Sequence, residues 1–434
     1  MQPKQPVRRL GSLTRMFNGG TPSKNDATLW EGTIGWLSPK DIKQYFISDA
    51  SDKVTPAAVM QSATQIAPAG AIVLVVRSGI LAHTLPVALL QAPLAINQDL
   101  KAIVVRDPNI LPEYLGCYLS VMGERILPLI TKHGSTVQSV ETEELHALKI
   151  PILELGQQQK ISDLFAQALA HKQQQEQAGR ALLEGMDGYL LGELGITLVP
   201  PNPGSTLFFR DYSIIRLGQR WDALYNEGDV YRHVAQGKYP MARLNALMVH
   251  CQNGFAAGRA DQDLLNQGVV QIRPTNMTAS RELDFSRNVY VSTDLIKLQP
   301  YDLLQRGEVL FNNTNSQELV GKTVLFDLEG AYFCSNHLTR IRTAEKLHPS
   351  FLTYVFNAYQ RAGIFFRLCV NWNNQSGINV DALRKIPIPL PPLNRQIEIA
   401  AILDTRRREA SSILHKAHTD FAAAKAEIQQ LILA

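Results

Sequence analysis

A chain of 434 residues with 45% hydrophobic side chains and a formal net charge of +4 can bury sizeable cores in two or three domains, which excludes a disordered protein. Its longest apolar run, residues 66–76, is too short to span a bilayer, and the run at 79–96 is interrupted by His83, Pro86, Gln91 and Pro93, so no membrane segment is expected. Residues 1–15 are polar and basic with no apolar stretch of signal-peptide type, so a cytoplasmic protein is expected, with Cys117, Cys251, Cys334 and Cys369 as buried thiols. The mildly basic balance is compatible with nucleic acid but does not single it out.

Residues 7–150 alternate short apolar runs with Gly, Pro and Ser turns, the pattern of a strand-rich mixed domain. A loop is expected at 18–25, a strand running into a turn at 35–42, a buried strand at 70–77, further strands at 86–90 and 102–105, and a helix at 112–119. From residue 151 to 198 the apolar period changes to that of a helix, through Ile161, Leu164, Phe165, Ala168 and Leu169, then Leu182, Leu183, Met186, Leu190, Leu191 and Leu194, with a polar stretch at 171–177 between them. Gly179, Gly185, Gly188, Gly192 and Gly195 each lower helix propensity by up to about 1 kcal/mol, so a break after Leu183 is expected. Residues 199–204, rich in Pro and Gly, form a linker. Residues 394–434 repeat the helical character with a cleaner heptad, Leu403, Ala410, Ala417, Ala424 and Leu431, complemented by Leu414, Phe421 and Ile428. Two amphipathic helices of about 40 residues, each about 60 Å long, need partners for their apolar seams, and an antiparallel pairing with each other is expected.

The halves echo one another. Asn18-Gly19 recurs at Asn253-Gly254, Pro39 at Pro274, Gly70 at Gly307, Asn97 at Asn336, Leu148-Lys149-Ile150-Pro151 at Arg384-Lys385-Ile386-Pro387, and Leu155-x-x-Gln158 at Leu393-x-x-Gln396. The offsets are 235, 235, 237, 239, 236 and 238, a register held along the whole chain, so the protein is two copies of one unit: a mixed domain followed by a long helix. The loops differ between copies, as in residues 77–83 against 312–318.

At these residues the chain resembles the specificity subunit of type I restriction-modification systems, on Asn18-Gly19-Gly20-Thr21-Pro22-Ser23, Trp36-Leu37-Ser38-Pro39-Lys40-Asp41, Val75-Val76-Arg77-Ser78-Gly79, residues 95–101, residues 136–139 and the paired Lys-Ile-Pro-Ile segments. The similarity covers nearly the whole chain and departs from the pattern at residues 254–259, where the first half has its Gly-Thr-Pro turn. It implies an α+β fold in which two tandem mixed α/β target recognition domains are joined by two long helices in an antiparallel coiled coil: residues 1–151 and 205–390 for the domains, 152–198 and 391–434 for the helices. It further implies one domain per half-site of a bipartite sequence in double-stranded DNA, two modification (methyltransferase) subunits and restriction/translocase subunits as partners, and no cofactor on this chain, S-adenosylmethionine and ATP with Mg being expected on the partners.

No catalytic constellation is legible. Gly321-Lys322-Thr323 lacks the earlier glycine of a phosphate loop, since Ser316 stands there. Asp99-Leu100-Lys101 has no acidic residue between Asp52 and Asp99 to complete a metal site, and Pro200-Pro201 and Pro391-Pro392 lack the flanks of an amino-methyltransferase motif. A fused methyltransferase or nuclease is thereby excluded as a rival, while a protein–protein adaptor on the same tandem frame is the alternative. Base-edge readers are drawn from the loops, because Arg or Lys pairs with guanine and Asn or Gln with adenine. In the first half these are Lys24, Asn25, Lys40, Arg77, Ser78, Gln98, Lys101, Lys132, His133 and Gln138. In the second they are Arg259, Arg273, Asn276, Asn312, Asn313, Asn315, Lys322, His337, Arg367 and the run Asn371, Trp372, Asn373, Asn374, Gln375 and Ser376, in which polar groups surround one Trp. Arg406, Arg407 and Arg408 are a further candidate for the DNA backbone.

Overall fold

A computed structural model describes residues 5–132, 138–197, 237–372 and 375–433. The linker at 199–204, the expected end of the central helix at 198, and His133, Asn373 and Asn374 lie outside the described residues. The chain forms two compact units, Met1–Glu176 with His415–Ala434, and Gln177–Leu414, so each unit is a mixed domain together with part of both long helices.

In the first unit a five-stranded sheet runs in the order Thr14–Asn18, Leu100–Val105, Ile72–Val75, Val87–Leu90, Phe46–Ile47. A four-stranded sheet, Asp52–Val54, Trp30–Leu37, Leu94–Ile96, Gln65–Ala67, contains one parallel pair, Leu37 opposite Ile96. Why residues 72–75 form an unbroken apolar strand is clear from its two faces. Ile72 and Leu74 enter a core with Leu10, Ile103, Tyr114 and Leu115, while Val73 and Val75 enter another with Ala88, Leu90 and Ala102, so alternation has no solvent side to register. The expected helix at 112–119 runs Pro112–Val121, its proline at the first turn where a missing N–H does no harm.

The second unit repeats the plan. Met248–Asn253, Leu338–Thr343, Glu308–Asn312 and Thr323–Phe326 form an antiparallel sheet in that order, and Val269–Ile272 pairs parallel with Tyr332–Cys334. The strand before each long helix also closes the domain: Val7–Arg9 pairs with Lys149–Pro151, and Met241–Arg243 with Pro387–Pro389. The backbone refines one echo by a residue: Asn97 N donates to Leu37 O and Ser335 N to Ile272 O, so Ser335, not Asn336, is the counterpart of Asn97.

The helices are Leu155–Leu194, 40 residues, and Leu393–Leu433, 41 residues. No break follows Leu183. Gly179 sits where an added Cβ would lie 2.8 Å from Leu414 Cγ, so it permits close helix approach, and burial of Met186, Leu190 and Leu194 outweighs the low propensity of the remaining glycines. Gly195, at φ +64°, ends the helix in a Schellman turn closed by Ile196 N to Leu191 O at 2.9 Å. Pairing is antiparallel within each unit. In the first, Phe165 meets Phe421 at 6.1 Å and Glu176 lies 3.7 Å from His418; in the second, Arg406 lies over the Tyr189 ring at 4.4 Å and Arg395 pairs with Glu193. Leu403, Ala410 and Ala417 are fully buried as the heptad requires, but Leu431 is exposed and Ile432 takes its place. A straight helix drifts about 20° per heptad, so after four heptads the seam has moved by nearly one residue.

All four cysteines are buried thiols. Burial pushes Cys117 up to about 12, Cys251 up to about 11 and Cys334 up to about 12. No helix among the described residues is long and apolar enough to cross a membrane.

Candidate nucleic-acid interface

Several of the polar candidates gather at one end of the main sheet in each unit. In the first, Lys101 at the start of its strand faces Asn18 at the end of its neighbour, and Leu100 faces Val75, so the loops after Asn18 and Val75 and before Leu100 emerge together. Gly19 is obligatory at this corner, because an added Cβ would lie 1.7 Å from Ile96 O; Gly254 repeats it 2.1 Å from Cys334 O. Gln98 and Arg77 are exposed there. Gln98 accepts from Thr21 Oγ1, Arg77 bridges to Ser139, and Ser78 N donates to Gln138 O at 3.3 Å. Lys40 follows the parallel strand to the same end, paired with Asp52 at 2.8 Å; Lys24 and Asn25 are exposed on the loop after Asn18. Lys132 is exposed, 3.3 Å from Glu141. Ser78 caps the short helix Gly79–Ala82, and Gln138 is half-buried. Lys101 is a correction: only 5% exposed, it donates from Nζ to Asn18 Oδ1 at 2.6 Å, and burial lowers its pKa, so it holds the corner and does not project from it.

In the second unit the corresponding end opens into a groove of about 1010 Å³, whose walls include Arg273, Arg287, Asn288, Asn336, His337 and Gln375. A neighbouring cavity of about 540 Å³ shares Asn336, His337 and Gln375 and adds Trp372. Arg273, Asn315, His337, Trp372 and Gln375 are therefore brought together around these two cavities, with Trp372 and Gln375 facing each other on the hairpin of Val370–Trp372 and Gln375–Gly377. Asn371 on that hairpin is exposed and donates to Gln317 Oε1 at 3.3 Å, whereas Ser376 is buried. Arg259 is exposed on the loop after Asn253, and Arg367 is half-buried; neither lines these cavities.

Four more candidates are turned inward. Asn276 accepts Arg273 N at 2.9 Å and donates to Asp284 O and Arg287 O, so it shapes the groove wall instead of lending its amide to a ligand. Asn312 donates to Leu319 O at 3.0 Å; Asn313 donates to Asn253 Oδ1, Asn336 O and Thr339 Oγ1 and accepts from Thr314 Oγ1. Lys322 donates to Met277 O, and burial together with the nearby Arg281 charge lowers it to about 8. The arginine run on the C-terminal helix is also partly occupied, since Arg406 stacks on Tyr189 and Arg407 pairs with Glu282 at 2.7 Å, leaving Arg408 exposed. Arg287 and Asn288 are wall residues that sequence reasoning missed; a basic residue beside an amide just ahead of Tyr290–Val291 was the available signal. Among the described residues no group of His, Cys, Asp and Glu could hold a metal.

The sequence profile of the type I restriction modification DNA specificity domain matches residues 4–180 and again 303–417. The chain belongs to this family. Its curated relatives include the Escherichia coli type I restriction enzyme EcoR124I/EcoR124II specificity subunit, 39% identical over 159 residues, 36% of this chain and 39% of that one. The Methanocaldococcus jannaschii type I restriction enzyme MjaIX specificity subunit is 30% identical over 166 residues, 37% of each chain. The aligned part thus spans about two fifths of these relatives' length. In fold the likeness extends further: a chain solved in a study of complex assembly and conformational transition of the type I R-M system superposes with a TM-score of 0.54 at 16% identity, over 99% of this chain and 97% of that one. In this specificity-domain protein the tandem α+β fold with paired helices is thereby established. Residues 181–302, which carry Arg273 and Arg287, fall between the two matched stretches, so the profile follows the frame and leaves this groove wall aside.

Proposed function

We propose that this chain is the DNA sequence-specificity subunit of a type I restriction-modification complex, each unit reading one half-site of a bipartite target. The observation that carries the reading is the shared sheet end: the same main-chain corner in both units presents different hydrogen-bonding side chains. Gln98, Arg77 and Lys40 stand there in the first unit, and Arg273, Arg287, Asn288, Trp372 and Gln375 in the second. Guanidinium and amide groups match guanine and adenine edges in the major groove, whereas exposed Lys24, Lys132 and Arg259 suit phosphates, which position a duplex without reading it. In this reading the chain performs no chemistry. Two modification subunits and restriction/translocase subunits dock on it in the cytoplasm, and S-adenosylmethionine and ATP with Mg bind to those partners.

The test is the methylome of the host with and without the gene, where a bipartite methylated motif is expected to appear only with it. Arg287→Ala combined with Gln375→Ala is expected to relax the second half-site alone, at about 1–3 kcal/mol for each bidentate base pairing removed. Absence of any gene-dependent motif, or methyl transfer by the isolated chain, refutes the proposal; the first result is the one the adaptor reading requires.

A further inference from the structure

We infer that Gln158 and Gln396 are positioning residues that set the angle between each recognition domain and its long helix, and through it the spacing that the complex accepts between half-sites. The inference rests on the proposed function. Both side chains are fully buried in the first turn of their helices. Gln158 Oε1 accepts Leu111 N at 2.8 Å, and Nε2 donates to Asn109 O and Leu153 O, both at 2.8 Å. Gln396 Oε1 accepts His348 N at 2.9 Å, and Nε2 donates to Lys346 O at 3.0 Å and Pro391 O at 2.8 Å. Leu111 and His348 are the N-cap residues of the domain helices Pro112–Val121 and Pro349–Arg361, and neither supplies a capping side chain. One amide therefore ties three pieces together: the N-terminus of the domain helix, the loop leading into it, and the segment from which the long helix starts.

Both helices also pack onto the domain core at equivalent positions, Ile161 and Phe165 in the first and Ile399 and Leu403 in the second, but the specific side-chain ties differ from one unit to the other. The first unit uses ring packing of Tyr45 on Phe165 at 4.9 Å and a hydrogen bond from Gln429 Nε2 to Val121 O at 2.9 Å; the second uses Arg361 with Asp187, Arg407 with Glu282, and Tyr354 Oη to Asp404 Oδ1 at 2.6 Å. Apolar packing is non-directional and tolerates small rotations, whereas hydrogen bonds weaken steeply when bent. The glutamine joint makes the same three bonds in both units while the other polar ties have diverged, which marks it as the shared directional element.

The experiment uses the full chain assembled with its partners. Gln158→Leu and Gln396→Leu are compared with Ile103→Val, a fully buried position in the first unit's core, at matched loss of thermal stability. Methylation sequencing is expected to show sites with a spacer one base pair shorter or longer gaining at least about tenfold relative to the native spacer in the glutamine variants and not in Ile103→Val, with the half-site bases unchanged. Amide exchange at Leu111 and His348 is expected to accelerate about tenfold or more in the matching variant, and Gln158→Glu, which keeps an oxygen facing Leu111 N, is expected to fall between. Folded glutamine variants that retain a single spacer, or that relax the half-site bases instead, overturn the inference; so does unchanged exchange. A wild-type complex with no bipartite motif refutes the proposed function, and the exchange measurement still tests the joint.

Discussion

Lengthening the helix pair by one heptad on each strand tests whether it acts as a ruler between the half-sites. The insertions go after Ala178 and after Ala417. Glu176 lies 3.7 Å from His418, and Gly179 packs against Leu414, so the two positions fall at matching levels of the helices. Seven residues at 1.5 Å each add about 10 Å, and the apolar seam is kept apart from a drift of about 20°. At about 3.4 Å per base pair, the unread spacer is expected to grow by roughly one to three base pairs, fewer if the helices lie oblique to the duplex. The assay is sequencing of methylated sites made by the assembled variant complex, after circular dichroism and size-exclusion chromatography establish that it folds and assembles. An unchanged spacer in a folded complex refutes the ruler and leaves the helices as a platform for partners. A change in the half-site bases refutes the independence of the two units.

Other expectations follow from the corner itself. Asn313→Ala removes the side-chain bonds that join Asn253, Asn336 and Thr339 and is expected to destabilise the second unit by about 1–3 kcal/mol, read by urea unfolding, with affinity falling alike for every DNA sequence; a loss confined to one base pair makes Asn313 a reader after all. Gly254→Ala drives a methyl group to 2.1 Å from Cys334 O and is expected to lower the thermal midpoint by the equivalent of about 1–3 kcal/mol or more, whereas Gly258→Ala, whose nearest neighbour is Asp261 Oδ2 at 3.4 Å, is expected to be nearly silent. Lys322 is held at about 8 against an ordinary 10.5, so the unfolded chain binds the extra proton between those values and folding gains stability as pH rises through that window. Lys322→Met is expected to flatten that rise in denaturant titrations at stepped pH; an unaltered slope shows that this ammonium is not its source.

The helices and the repeat were legible because each rests on periodicity. Leu403, Ala410 and Ala417 face inward for the reason their spacing predicts, and the paired Leu-x-x-Gln segments land on equivalent bonds. What escaped the sequence was decided by distant neighbours. Nothing near Gly179 in the chain announces that Leu414 will fill the space beside it, and nothing in Asn276 distinguishes an amide aimed at a ligand from one that holds Arg287 in place. Residue type alone singles out Arg, Asn and Gln, some on loops and some at strand ends such as Asn312 and Gln375, but the direction of each side chain is a tertiary property. Arg273 and Gln375 line open space, while Asn312 and Lys322, likewise an amide and a cation, are bonded to the protein.

The corner beside Gly19 and Gly254 is closed largely by main-chain atoms: Gly20 N to Ile96 O and Phe255 N to Cys334 O, Val76 N to Asp99 O and Asn313 N to His337 O. Peptide groups are the same whatever side chain they carry. The residues that project from this corner can therefore be exchanged while the main-chain joints that hold it together stay intact. Under the proposed function, target preference then changes through substitutions that leave folding nearly untouched.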